Sequence, residues 1–359
     1  MKLGYDTHDR SNSRRILRIS GTAILIGLAV NVFITIFLDR GRIIESLRGI
    51  RLKYIAVPFL LFIAGHVVDS IRLTLVLSQF GVRTNARQAF YNSAVGTFFT
   101  NITPMAAGGQ AFQIHHLRSI DVGADTATNV IMSRFVEQVM TSALILIAFV
   151  PQILSVTRSL RIGAGVIYAA LGLTVVFTFC FLLLLIRPRI IGRTALVIER
   201  TAVGRLIGKV SRRRSWAPRV YRWSRSLREN VRFLWGEKLH IMLLDILLGI
   251  GVLMLHAYSL FFVLRGLASP DIHYLAVLVT YEVLWQVVFY VPTPGASGGV
   301  EGTFALVYAE MTGAPEATLI SVIVWRLATY YLLILFGGLL YGLFAKAGYA
   351  KTGRAESAT

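Results

Sequence analysis

Two stretches of this chain place proline, glycine and polar residues in apolar surroundings, where they offer chemistry that a continuous helix cannot. Residues 99–109 read FTNITPMAAGG, and residues 289–299, which lie 190 positions later, read FYVPTPGASGG. Phe99 answers Phe289, Thr103-Pro104 answers Thr293-Pro294, and Gly108-Gly109 answers Gly298-Gly299 without a gap. Upstream, Tyr91 matches Tyr281 and His66 matches His256 at the same offset. Pro104 and Pro294 remove a backbone donor and end an incoming helix, while the glycine pairs let the chain turn and a ligand approach the backbone. A helix that leaves such a point presents N–H groups and a positive dipole end, which favour phosphate or carboxylate. Asn101, Thr103, Gly108, Gly109, Gln110, Thr293, Gly298 and Gly299 are therefore candidate head-group or phosphate-binding residues. The plainer alternative is that Pro and Gly only shape two tight hairpins.

Charges embedded in apolar runs extend the pattern. Arg134 and Arg326 stand 25 and 27 residues after Gly109 and Gly299, each within the run that follows its own breaker. An intramembrane arginine faces the protein interior or a wet path, and its planar fork suits phosphate. The competing role is internal pairing, Arg134 with Glu137 at i, i+3, and Arg326 with Glu301 or Glu282. Asp69 and Arg72, three apart, read as a structural pair, and His66 and His256 as satisfied polar groups whose repeat match invites a test of protonation.

Other chemistries find little support. Gly204 to Lys209 lacks the spacing of a Walker A loop, and neither a nucleophile elbow nor an HExxH motif occurs. His115-His116 with Asp121 makes a poor metal site, because adjacent histidines do not converge on one ion. The single cysteine, Cys180, excludes an intramolecular disulfide and a cysteine-rich metal centre. No cofactor and no metal are called for.

The elements that must carry these residues are membrane helices. Of 359 residues, 55% are hydrophobic and 15% charged, with a mean hydropathy of +0.65, and apolar runs of spanning length recur along the chain. The sequence predicts an all-α polytopic membrane protein with about six full transmembrane helices, at 16–38, 54–80, 124–150, 162–186, 239–264 and 317–344. Two re-entrant broken-helix hairpins complete it, with arms at 86–103 and 110–120 and at 272–292 and 298–311. The first run is too long for a cleavable signal and lacks an A-x-A exit. Residues 1–15 and 346–359 read as polar tails around one membrane domain, 16–345, with repeat 1 at about 54–150 and repeat 2 at about 239–344.

The net charge of +19 is uneven, since residues 187–238 hold 15 Lys/Arg against 3 Asp/Glu. In a membrane protein such a segment stays cytoplasmic and meets anionic lipid rather than nucleic acid. Within it, Trp216, Val220, Trp223, Leu227, Val231 and Leu234 form an apolar stripe, with Arg219, Arg222, Arg225, Arg228 and Arg232 on other positions. That pattern fits an interfacial helix or one packed on the protein's own cytoplasmic face. With both termini inside, three spans separate each element from its repeat counterpart, so the repeats are inverted, as in secondary transporters. One count runs the other way, because residues 40–53 carry five basic residues against one Glu in a link this topology places outside.

The motif F-x-x-N-x-x-P-x-x-x-G-G at 98–109, Arg134, the P-x-P-G…G…E stretch at 292–301 and Trp325-Arg326-Leu327 together resemble one family. It is the flippase-like membrane region of lysyl-phosphatidylglycerol synthases, in a stand-alone form without the synthase domain. The likeness covers roughly residues 20–345. It departs from the family's pattern at Ser133, where Glu is frequent, and at Ala296-Ser297, which lengthens the Pro-Gly-Gly turn. The resemblance implies movement of an anionic or aminoacylated phospholipid, or a polyprenyl-linked lipid, between the leaflets of the cell (inner) membrane. Two alternatives accompany it. One is a membrane-embedded enzyme acting on a lipid phosphate, with Glu137, Glu282 or Glu301 as base; the other is an accessory protein presenting lipid to a partner transferase.

Overall fold

The structure, a computed structural model, describes residues 49–103, 106, 108–159, scattered positions between 165 and 201, and 217–356. The predicted span at 16–38 lies outside the described residues, and the one at 162–186 lies largely outside them. Among the described residues the elements are helical. They are α1 (Lys53–Ser78), α2 (Ala86–Ile102), α3 (Gly108–Ser119), α4 (Ala124–Ala148), α5 (Val150–Ser159), α6 (Ala217–Gly236), α7 (Leu239–Leu267), α8 (Tyr274–Val288), α9 (Gly299–Thr312), α10 (Pro315–Arg326) and α11 (Leu332–Glu356). A π-helical turn, Leu327–Tyr331, joins α10 to α11. Among the described residues, four segments are long and apolar enough to cross a membrane: α1, α4, α7 and the continuous run Pro315–Phe344. Two details differ from the sequence reading. Residues 150–159 form a helix where none is predicted, and α11 runs on to Glu356 through the expected tail.

The chain order of long helix, short helix, breaker, short helix, long helix occurs twice, in α1–α4 and in α7–α11. The short helices fold back on each other. In the first hairpin, Asn92 meets Gln113 and His116, Gly96 lies against Gln113, and Gly109 against Thr100, so α2 and α3 are antiparallel. In the second, the Tyr308 hydroxyl donates to the Val277 carbonyl, and Phe304 packs edge-on against Tyr281 and Trp285. At 17 and 12 residues, α2 and α3 reach about 25 and 18 Å, short of the ~30 Å hydrocarbon thickness. Local signals set their ends. Asn85 accepts from the Gln88 N–H while Gln88 accepts from the Asn85 N–H, a reciprocal cap that starts α2. Each breaker holds an alanine with left-handed backbone, Ala106 at φ 57° and Ala296 at φ 52°, 190 positions apart.

The centre of the molecule is the antiparallel pair α1 and α7. Tyr54 bonds the Gly266 carbonyl at 3.2 Å, the Phe62 ring stacks on His256 with centroids 3.9 Å apart, and Gly249 admits Arg72. Large apolar side chains point outward from the long helices, with Leu335, Leu339 and Leu343 at 55, 67 and 63% exposure along one face of α11. A bundle in lipid can leave such faces uncovered, and the polar groups turn inward instead. The apolar stripe of α6 is the exception on the protein's own surface. Leu234 is fully buried beside Leu73, Leu77 and Met242, Phe233 packs on Phe80, and Ser226 accepts from Asn129 of α4. Arg222, Arg225, Arg228 and Arg232 remain exposed. Trp216 lies outside the described residues.

Candidate functional site

Two ion clusters lie inside the bundle. In the first, Arg72 of α1 bridges three helices. Its Nε donates to Asp245 Oδ1 of α7 at 2.8 Å, its Nη1 to Asp69 Oδ1 at 2.9 Å, and its Nη2 to Glu137 Oε2 of α4 at 2.7 Å. Thr141 Oγ1 donates to the other Glu137 oxygen at 2.9 Å. Arg134 adds one contact, from Nη2 to Asp69 Oδ1 at 3.3 Å, and its Nε is buried without a hydrogen-bond partner. The Asp69–Arg72 pair thus forms as the sequence suggests, inside a larger network. The i, i+3 pair of Arg134 with Glu137 does not form, because Glu137 turns towards Arg72, whose Nη2 donates to it at 2.7 Å. Asp245 lies in the apolar run 239–264, and nothing in the sequence links it to Arg72, 173 residues away.

The second cluster builds the tip of the second hairpin. Glu301, three residues into α9, accepts from the Gly298 N–H through Oε2 at 2.7 Å and from Arg326 Nε through Oε1 at 2.9 Å. Arg326 Nη2 donates to the Gly295 carbonyl at 3.0 Å, and the guanidinium lies 4.1 Å from the centroid of the Tyr330 ring. Of the two partners weighed for Arg326, the structure selects Glu301. Glu282 instead accepts through one oxygen, Oε1, from Ser142 Oγ of α4 at 2.7 Å and from Gln286 Nε2 at 3.0 Å. Arg326 is bonded through Nε and Nη2, whereas Arg134 is bonded through Nη2 alone.

The breakers are also internally bonded. Thr103 Oγ1 donates to the Phe99 carbonyl and accepts from the Gly108 N–H at 2.9 Å, and Thr293 Oγ1 donates to the Ser297 carbonyl at 2.8 Å. The amides of Gly108 and Gly298, expected to be open, are therefore taken by the chain's own oxygens. Gly109 and Gly299 serve close packing, against Thr100 and Val291. Asn101 and Gln110 are half-buried on the two sides of the first breaker. The two hairpins meet at Tyr330, which the sequence reading did not single out. Its hydroxyl lies 3.2 Å from the Pro294 carbonyl and 3.4 Å from the Asn101 carbonyl. The π-helical turn sets it there, one of the irregularities common at functional positions. Beside the first hairpin a groove of ≈ 300 Å³ opens between α2 and α11, lined by Arg87, Phe90, Tyr91, Leu340 and Phe344.

Buried ion networks and paired broken helices, carried by helices long and apolar enough to cross a membrane, are the features of a polytopic helical membrane protein. The chain belongs to the family of the lysylphosphatidylglycerol synthase TM region, whose model matches residues 24–337. It is also similar to a UPF0104 membrane protein of Archaeoglobus fulgidus, with 25% identity over 330 residues that cover 88% of this chain and 94% of that one.

Proposed function

We propose that this protein moves an anionic phospholipid, or a polyprenyl-linked lipid phosphate, between leaflets through a polar path between two re-entrant hairpins. The observation that carries the reading is the meeting of both breakers at Tyr330. Exposed carbonyls at the ends of broken helices are tolerated in a membrane only where protein or a wet cavity receives them. Here one hydroxyl serves the Asn101 and Pro294 carbonyls together. An inverted repeat is supported by α1 and α7, which hold equivalent places in the two halves and run antiparallel, with His256 close to Gly65, next to its counterpart His66. Broken helices between inverted repeats are a transporter's arrangement.

Arg134 is the head-group anchor in this reading, because its donors are largely unspent, with Asn101 and Gln110 as polar neighbours along the path. Arg326 and Glu301 hold the second hairpin in shape. The family membership and the absence of any need for covalent chemistry in these roles favour transport over an embedded transferase. Purified protein in liposomes with fluorescent phosphatidylglycerol tests the proposal. Leaflet exchange is expected above that of protein-free vesicles, with most of it lost in Arg134→Ala and part retained in Arg134→Lys. Covalent turnover of the probe without exchange would make the protein an enzyme instead.

A further inference from the structure

Glu282 is 6% exposed, on a helix that packs inside the bundle. Its ion-pair partner is missing, as no described cation lies within 4.0 Å. Its hydrogen bonds come from two neutral donors, Ser142 and Gln286, and both converge on Oε1. A carboxylate in this setting would be an uncompensated buried charge, several kcal/mol unfavourable even after relaxation. A carboxylic acid fits the geometry, with Oε1 as the carbonyl oxygen that accepts both bonds and Oε2 as the hydroxyl. The equivalent position in the first repeat, 190 residues earlier, is Asn92, a fully buried neutral amide.

The described charged side chains on the packing elements are committed elsewhere or lie apart. On α4, Glu137 binds Arg72 and Arg134 binds Asp69; on α9, Glu301 binds Arg326 and Glu310 is exposed. On α7, Asp245 binds Arg72, while His256 stacks on Phe62 and Arg265 lies over Phe261. The single ion of α5, Arg158, belongs to its last turn, and Tyr281 adjoins Glu282 on α8 itself.

We propose that Glu282 is a proton-binding site, occupied while α8 is seated on Ser142 of α4 and exchanging its proton with water when that contact loosens. On the lipid-transport reading the proton would be a coupled ligand, but occupancy of the site does not depend on that reading. Infrared spectra of the purified protein in lipid nanodiscs test it without any transport assay. The expected result is a carboxylic-acid C=O band that shifts in D2O and is lost in Glu282→Gln, which mimics the neutral form. Ser142→Ala and Gln286→Leu each remove one donor to the carbonyl oxygen and should move the band to higher frequency. These two variants keep the test decisive should Glu282→Gln not fold. A spectrum unchanged by all three, or a band that does not shift in D2O, overturns the proposal whether or not the protein moves lipid.

Discussion

Arg72 gives its Nε, Nη1 and Nη2 to carboxylates on three helices, so truncating it strands Glu137 and Asp245 without a cation. Removing one partner from a buried ion network costs about 3–5 kcal/mol, and Arg72→Ala should destabilise the protein by that order. Arg134 makes a single 3.3 Å contact to a carboxylate that keeps Arg72. Its loss resembles that of a weak, partly screened pair, roughly 1 kcal/mol or less. Denaturation in detergent should therefore rank Arg72→Ala well below Arg134→Ala, even though Arg134→Ala should lose most of the leaflet exchange. An Arg134→Ala protein as unstable as Arg72→Ala would make Arg134 structural and remove it from the transport path. Tyr330→Phe deletes only the hydroxyl shared by the two breakers, and it should lower exchange while leaving the pair of Arg326 with Glu301 in place.

At the scale of elements, the fit of α1 on α7 depends on a small residue at Gly249. A Cβ at Gly249 would come within 2.9 Å of Arg72 Nη2, whereas one at Gly251 would meet nothing within 4 Å. Three carboxylates pin the guanidinium, so it cannot swing aside as a free side chain would. Gly249→Ala should destabilise the fold by about 1–3 kcal/mol through overpacking. Gly251→Ala, on the same helix, should be neutral or stabilising by up to ~1 kcal/mol through helix propensity. Thermal melts of the two variants make the comparison directly, and equal melting points would contradict the packing described. The breakers respond to backbone conformation instead. Ala296 has φ 52°, which a β-branched residue tolerates badly. Ala296→Val should melt well below Ala296→Gly.

The whole molecule makes a topological commitment. If the repeats are inverted, cysteines introduced at Ser119 and Ser269 in a Cys180→Ser background should label from the inside and the outside respectively. Labelling of both from one face would mean that the repeats are parallel. Leu234 is buried beside Leu73, Leu77 and Met242, while Arg222, Arg225, Arg228 and Arg232 of α6 stay exposed, Arg225 beside Glu229. Replacing Arg222, Arg225 and Arg228 by Gln should weaken association with anionic vesicles, most visibly at low salt, with little change in melting temperature. Unchanged association would leave those charges only a role in setting topology.

The sequence by itself determined the features that arise locally. Apolar run length defined the spanning helices, the offset of 190 defined the repeat, and Pro and Gly defined where helices stop, because each depends on neighbouring residues and the solvent alone. It also marked Arg134, Arg326, Glu137, Glu282 and Glu301 as charges out of place in lipid. Which ion meets which was decided only by tertiary structure. Glu137 has Arg134 one turn away and yet pairs with Arg72, since in a helix bundle the partner is set by how helices face each other across an interface. The same cause brought Tyr330 between two carbonyls 193 residues apart in the chain (Asn101 and Pro294). It also brought Ser142 of α4 to Glu282, 140 residues away, with no described cation within 4.0 Å.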